Sequence, residues 1–383
     1  NLTGLFVPFA VLAFGLLAVG EYFTYDYAYV PDFAPPYDWA DDVFRAFREM
    51  GLALVLIAAL LATIPMILAR RRIPWRGGRA SYTVLTLLLV IAVSAGSVAA
   101  TVNETVRRPE NPDCLRVATF NIHGGYSQFF DPNLERVANL IEADGADVVL
   151  LQEIETGRMA SYGVDQVLWL ARRLQMESVF FPQNEALQGI AVLSRVPIER
   201  WQGLLLPSEG NQAAAMHVVL DPERLAGDTG DEARGGLHVY NAWLGFRLAE
   251  RGGQPIPEGE QDQNVQMRML LDWIATAHGP GWTDRILLGG TFNFGPDSPL
   301  YRALRMDNLA NPGIVDPFAS LRTEEAMTVY LVNGTAARYD YLWTFNLPLT
   351  GILIDNSDEA AQTSDHRPAI VAVARHEGVT CPP

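Results

Sequence analysis

The sequence contains no lysine: its basic residues are all arginine, 28 of them against 44 aspartates and glutamates. That excludes Schiff-base chemistry, a lysine general base and the lysine-dependent phosphate loop. The two cysteines, Cys114 and Cys381, are too few for a cysteine-ligated zinc or iron–sulfur site, though enough for one disulfide. A formal net charge of -16 argues against a nucleic-acid partner, because sequence-independent affinity for DNA or RNA comes from basic side chains neutralising phosphates.

Apolar residues are abundant but unevenly placed. Three runs, about 2–20, 51–69 and 82–102, approach the roughly twenty residues that a bilayer core requires, and they are read as three transmembrane helices. RRRIPWRGGR joins the second run to the third, whereas the first connection is acidic and rich in tyrosine. By the positive-inside rule the arginine loop is cytoplasmic and everything after the third run faces outward. The expected organisation is a membrane anchor over 1–103, a linker over 104–113 and an extracytoplasmic domain over 114–383 of a multi-pass cell-membrane protein. Membrane lipids and other membrane-protein subunits are the partners expected of such a chain.

From Cys114 the pattern becomes short apolar strands alternating with amphipathic helices. RVATFNI (116–122) and DVVLLQE (147–153) read as strands, and LERVANLIEA (134–143) and VDQVLWLARRLQ (164–175) as helices. GIAVLSR, LHVYNAWL, RILLGG and AIVAVAR are strand-like, so the class is α/β.

TFNIH (119–123), LLQE (150–153), GIAVLSRVPI (189–198), LLGGTFN (287–293), RYDYLW (338–343) and SDHRP (364–368) resemble, in order and spacing, the motifs of the endonuclease/exonuclease/phosphatase superfamily. ATFNIHGGY, LQEIETGR, the helix with Asp165 and SEGNQAA (208–214) are also similar to the C-terminal domain of membrane proteins that remodel the lipid of GPI anchors. The resemblance implies two packed β-sheets flanked by helices, a four-layer sandwich. In that fold the first and last strands lie close together. Cys114 precedes the first and Cys381 follows the last, so a disulfide is expected in an outward-facing domain, and two free thiols in an inward-facing one.

Phosphodiester hydrolysis needs a cation to offset phosphate charge, a base for the attacking water and donors for the non-bridging oxygens. The resemblance assigns Glu153, Asn121 and Asp365 to an Mg²⁺ or Mn²⁺ site, if the site still takes a metal. It assigns His366 to phosphate contact, Asp340 to orienting His366, and Asn293 to amide donation. His123, two residues beyond Asn121 on a strand, belongs to the same face, either lining the pocket or as an ordinary polar strand end.

Two positions depart from the motifs. Thr291 stands where the superfamily has a proton-handling aspartate, and a hydroxyl is no general base near neutral pH. Trp243 stands where many relatives have histidine, and an indole donates one hydrogen bond and accepts none. Asp297 and Asp316 are the carboxylates that could substitute. The expectation is therefore an outward-facing, membrane-anchored phosphodiesterase-fold domain, catalytically impaired, serving as a binding or structural subunit of a membrane assembly. The alternative is an active metal-dependent phosphodiesterase acting on a lipid or glycolipid.

Overall fold

The strand expected over RVATFNI is β1 (Cys114–Asn121), and its alternation sets the layers of the molecule. Leu115 and Val117 enter one buried cluster, while Ala118 and Phe120 enter another on the opposite face. These are the two faces of a strand with period two. In this computed structural model the described residues are 106–374 apart from 159–160, 185–186, 209–210, 222–235, 248–249, 252–253, 281, 283, 307–312 and 331–333, together with 379, 381 and isolated positions before 106. The chain divides into two units, Asn1–Thr105 and Val106–Pro383.

In the second unit, β1 is followed by α1 (Leu134–Ala143), β2 (Val148–Glu155), α2 (Gln166–Leu174), β3 (Glu177–Asn184) and β4 (Gln188–Ser194). Then come β5 (Ile198–Leu206), β6 (Ala213–Leu220), β7 (Leu237–Trp243), β8 (Glu250–Arg251), β9 (Gln254–Pro255), α3 (Asp262–His278), β10 (Arg285–Thr291) and α4 (Pro299–Leu304). β11 (Val329–Tyr330), β12 (Ala336–Ala337), β13 (Asp340–Phe345), β14 (Leu349–Ile354), α5 (Asp358–Thr363) and β15 (Ala369–Ala374) complete it.

A six-stranded sheet runs in the order β14-β15-β1-β2-β4-β3 and a five-stranded sheet in the order β13-β10-β7-β6-β5. β1 with β2 and β7 with β10 are parallel; the remaining pairs in both sheets are antiparallel. β8 with β9 and β11 with β12 form two short ribbons. Val117, Leu150 and Val192 of the first sheet and Met216, Val239 and Leu287 of the second belong to one core. α1 and α2 cover the outer face of the first sheet through Val137, Leu140, Leu170 and Leu174. α3 packs on the outer face of the second, where Trp273 meets Tyr240 edge to face at 5.6 Å. The expected sandwich of two sheets and flanking helices is thus present.

Local chemistry explains the helix ends. Asn133 and Asp165 cap α1 and α2 by accepting from the backbone N–H groups of Arg136 and Leu168, each such cap being worth about 1 kcal/mol. Gln175 closes α2 in the left-handed conformation at φ 54°. The double glycine of LLGGTFN reflects close approach. A Cβ on Gly289 would stand 2.5 Å from the Leu150 side chain of the facing sheet, and one on Gly290, at φ 138°, would stand 1.8 Å from the Ala242 carbonyl oxygen. A disulfide joins Cys114 to Cys381 and packs with Ala372 and Ala374, tying the first strand to the segment after the last.

The membrane expectation is corrected. Among the described residues no helix is long and apolar enough to cross a membrane, which argues against the three transmembrane helices and the multi-pass membrane localisation. A span needs about twenty continuous residues that are both helical and apolar, a condition that apolar content in a sequence does not by itself meet. Most of runs 2–20, 51–69 and 82–102, and the loops that set the orientation, lie outside the described residues.

Candidate active site

Three neighbouring strands of the second sheet present one residue each at the same level. Trp243 of β7 is the partner of Thr291 on β10, and Thr291 is the partner of Asp340 on β13. Cross-strand partners share a face, and here that face is turned to the first sheet, because Trp243 Nε1 donates to Glu153 Oε1 at 3.1 Å. At the matching level of the first sheet Asn121 pairs with Gln152.

Strict alternation would send Glu153 to the opposite face from Gln152. Instead the β2–β4 register shifts between Leu151 and Ile154, and Glu153 adopts φ 53°. A bulge of this kind re-aims a side chain. Gln152 and Glu153 therefore both reach the second sheet, Gln152 through Asn241 Oδ1 at 2.7 Å and Glu153 through Trp243, while Ile154 returns to the outer core. His123 and Asn293 also hold positive φ, at 48° and 53°. Non-glycine residues held there cost of order 1–3 kcal/mol each and cluster at functional sites.

Glu153 Oε1 receives both the indole N–H of Trp243 and Asn121 Nδ2, the latter at 2.9 Å. Among the described residues Glu153 Oε2 receives no hydrogen bond. Asn121 Nδ2 also donates to Thr291 Oγ1 at 3.2 Å, and Asn121 Oδ1 accepts from the His123 backbone N–H at 3.0 Å. Thr291 Oγ1 in turn donates to Asp340 Oδ1 at 2.6 Å. Asp340 Oδ2 accepts from His366 Nδ1 at 2.7 Å. The result is one chain of contacts, Glu153–Asn121–Thr291–Asp340–His366, buried except at its half-buried Glu153 end.

Burial opposes charge on His366, but the adjacent Asp340 carboxylate, with smaller help from Asp365 and Glu153, raises its pKa to about 9. The ring is thus held as an imidazolium at neutral pH. The SDHRP segment is pinned in place: Ser364 Oγ donates to the Asn121 carbonyl at 2.9 Å and accepts from the His366 N–H at 3.1 Å. This brings Asp365 Oδ1 within 3.9 Å of His366 Nε2 and 3.7 Å of His123 Nδ1. Asn293 lies two residues past Thr291 and donates Nδ2 to the Leu244 carbonyl at 2.7 Å. These contacts join all the expected polar residues except Asn293, one of whose two amide N–H groups goes to backbone.

Among the described residues neither carboxylate that could have replaced the missing base is hydrogen-bonded to this cluster. Asp316 is buried and bonded to Arg338 at 2.6 Å, to the Tyr301 hydroxyl at 2.8 Å and to the Phe318 N–H at 3.1 Å. Asp297 precedes α4 in a turn, its carbonyl accepting from Arg302 Nη1 at 3.3 Å.

Two residues emerged only from the structure. Gln152 and Asn241 bridge the sheets directly beneath the site, Asn241 also donating to the carbonyls of Leu151 and Ala191 at 2.9 and 2.8 Å. The signal was available in the sequence as polar residues on inward positions of apolar strands, QE in LLQE and N in YNAWL.

A hard divalent cation fits the donor set. Mg²⁺ and Mn²⁺ take carboxylate oxygens with water completing the shell, and Glu153 Oε2 and the Asp365 carboxylate are oxygens of that kind in one cluster with no arginine bound to them among the described residues. A cation there would supply charge for a phosphate oxygen.

A model of the Endonuclease/Exonuclease/phosphatase family matches residues 118–366. Among solved structures, a functionally unknown conserved protein from Enterococcus faecalis V583 aligns at 15% identity and TM-score 0.51, over 68% of this chain and 99% of its own. ANGEL2, a 2',3'-cyclic phosphatase, aligns at 14% identity and TM-score 0.51, over 68% and 95%. An endonuclease/exonuclease/phosphatase from Bacteroides vulgatus aligns at 15% and 0.50, over 68% and 98%. At such identities the likeness extends to the fold alone. Comparison with curated proteins gives no match, and none of these findings bears on the likeness to GPI-anchor-remodelling proteins.

Proposed function

The chain belongs to the endonuclease/exonuclease/phosphatase family, and on that premise we propose that its strand-end site binds a phosphate-bearing ligand, with Mg²⁺ or Mn²⁺, without hydrolysing it. The observation that carries this reading is the Thr291 hydroxyl, 2.6 Å from Asp340 Oδ1. A hydroxyl that donates to a carboxylate stabilises that carboxylate's charge and takes no proton from water. Trp243 works in the same direction, since its indole occupies the position of a proton relay and donates to Glu153. Binding elements persist: the His366 imidazolium can pair with a phosphate oxygen, and Glu153 with Asp365 can hold the cation.

The reading is tested by incubating the full chain with Mn²⁺ and a simple phosphodiester, measuring binding by calorimetry and the state of the ligand by mass spectrometry. Saturable binding, weakened by His366→Ala, with the ligand recovered intact is expected. Cleaved ligand would overturn the impaired reading, and absence of binding would overturn the ligand site.

A second reading, an active metal-dependent phosphodiesterase, is favoured by one contact, His123 Nδ1 at 3.7 Å from Asp365 Oδ1. His123 Nδ1 has no hydrogen-bond partner among the described residues, and such a ring nitrogen can serve as a general base in place of the missing aspartate. In that case His123→Gln abolishes turnover.

A further inference from the structure

The second sheet has an outer face that the strand-end site does not use. On β7, Asn241 and Trp243 turn inward to Gln152 and Glu153, so His238 and Tyr240 turn outward toward α3. On β6 the cross-strand partner of Tyr240 is His217, and the two rings stack at 4.2 Å with planes 4° apart. The last residue of α3, His278, reaches the same spot, its ring centroid 4.6 Å from that of His238.

Three of the protein's six histidines therefore meet here, with one ligand-capable atom from each within 4.8 Å of the others. His217 Nε2 and His238 Nδ1 are 2.9 Å apart. His278 Nδ1 lies 2.6 Å from Asp284 Oδ2, and His278 Nε2 lies 2.8 Å from the Tyr240 hydroxyl. We propose that His217 Nε2, His238 Nδ1 and His278 Nε2 form a binding site for a transition-metal ion of the Zn²⁺ class, which would pin the end of α3 to the second sheet.

The chemistry of the cluster supports this. Nitrogen atoms around tetrahedral zinc, with bonds of about 2.0–2.1 Å, are separated by about 3.4 Å, so the His217–His238 pair opens by only about half an ångström. Burial, reinforced by the neighbouring rings, lowers His217 to about 3 and His238 to about 4. Both are neutral imidazoles at pH 7, the form that binds metal. Asp284 receives the other ring nitrogen of His278, the carboxylate–histidine arrangement that orients a metal-ligating ring. Trp273, edge-on to His217 at 6.1 Å, and Tyr240 wall the site with aromatic surface. Three imidazoles favour zinc, copper or nickel over magnesium and manganese, which separates this site chemically from the oxygen donors of Glu153 and Asp365. The alternative occupant is none: a self-contained hydrogen-bonded packing network.

The test equilibrates the full chain with Zn²⁺, removes loose metal by gel filtration and counts bound zinc by mass spectrometry. A Glu153→Ala/Asp365→Ala background keeps the strand-end site out of the count. One zinc per chain is expected, lost in His217→Gln and His238→Gln. Asp284 is more than a third exposed, so Asp284→Asn should fold normally and bind zinc about 10- to 100-fold more weakly. Should the histidine variants fail to fold, Co²⁺ added to the unsubstituted triad reads the site directly through an intense four-coordinate visible spectrum. No retained zinc, a count unchanged by the histidine and Asp284 substitutions, or a weak six-coordinate cobalt spectrum would overturn the proposal.

Discussion

Thr291 Oγ1 donates a 2.6 Å hydrogen bond to Asp340 Oδ1, across the strand pair in which the two residues are direct partners. One consequence is chemical: the proton lies on the hydroxyl side of a position where the family places a base. The other is structural, because the same oxygen accepts from Asn121 and so couples the two sheets.

Thr291→Val keeps the shape and removes both contacts. Asp340 Oδ1 and Asn121 Nδ2, both buried, each lose a partner. The expected cost is about 1–3 kcal/mol, read as a lower denaturation midpoint with unchanged slope in urea. A midpoint equal to that of the parent would mean that the Thr291 bonds carry no net stability.

Asn241→Leu should be costlier. It removes three buried hydrogen bonds, to Gln152 Nε2 and to the carbonyls of Leu151 and Ala191 at 2.7, 2.9 and 2.8 Å, although Gln152 Nε2 keeps Thr119 Oγ1 and the Leu150 carbonyl at 3.0 Å. A loss of about 3 kcal/mol follows, at about 1 kcal/mol for each bond. Stability within about 0.5 kcal/mol of the parent would show that water reaches the inter-sheet network.

Reduction of the Cys114–Cys381 bond, which closes a separation of 267 residues, should lower stability by about 5 kcal/mol in the chain-entropy model. Denaturation with and without a reductant, beside a Cys114→Ser/Cys381→Ser chain as control, measures it. Equal midpoints in the oxidised and reduced protein would contradict the expectation.

Asp144, the residue after α1, gives a pH dependence. Burial chiefly, with the nearby Asp355 carboxylate, raises it to about 7, against the opposing pull of Arg116. The folded form therefore binds this proton more tightly than the unfolded chain. Its contribution is complete below about pH 4 and is lost as pH rises through 7. Asp144→Asn should flatten the stability profile between pH 4 and 7 by roughly 2 kcal/mol, discounted for partial exposure. An unchanged slope across that window would rule Asp144 out as the titrating group.

What could be read in advance divides along physical lines. LERVANLIEA reads as a helix, and α1 occupies those ten residues. Of the eleven strands in the two sheets, β1, β2, β4, β7, β10 and β15 were legible as short apolar runs, and the meeting of Asn121, Glu153, Asp340, Asp365 and His366 only through the resemblance of their motifs. The inward turn of Glu153 was not, since it depends on a bulge that alternation does not anticipate. Nor was the donation from Trp243 to that carboxylate, because nothing local in YNAWL says which strand faces it. His217, His238 and His278 stand on three separate elements, and only the packing of α3 on the second sheet brings them together. Over the first 105 residues apolar content suggested spans that the described residues do not contain.

The central claim, that the strand-end site lacks its base, is tested by Mg²⁺- or Mn²⁺-dependent hydrolysis of bis(4-nitrophenyl) phosphate by the full chain, beside Thr291→Asp/Trp243→His. The account predicts no turnover above the metal blank for the native sequence, and a gain of roughly 10²-fold or more in the double variant. Native turnover that Glu153→Ala abolishes would contradict it.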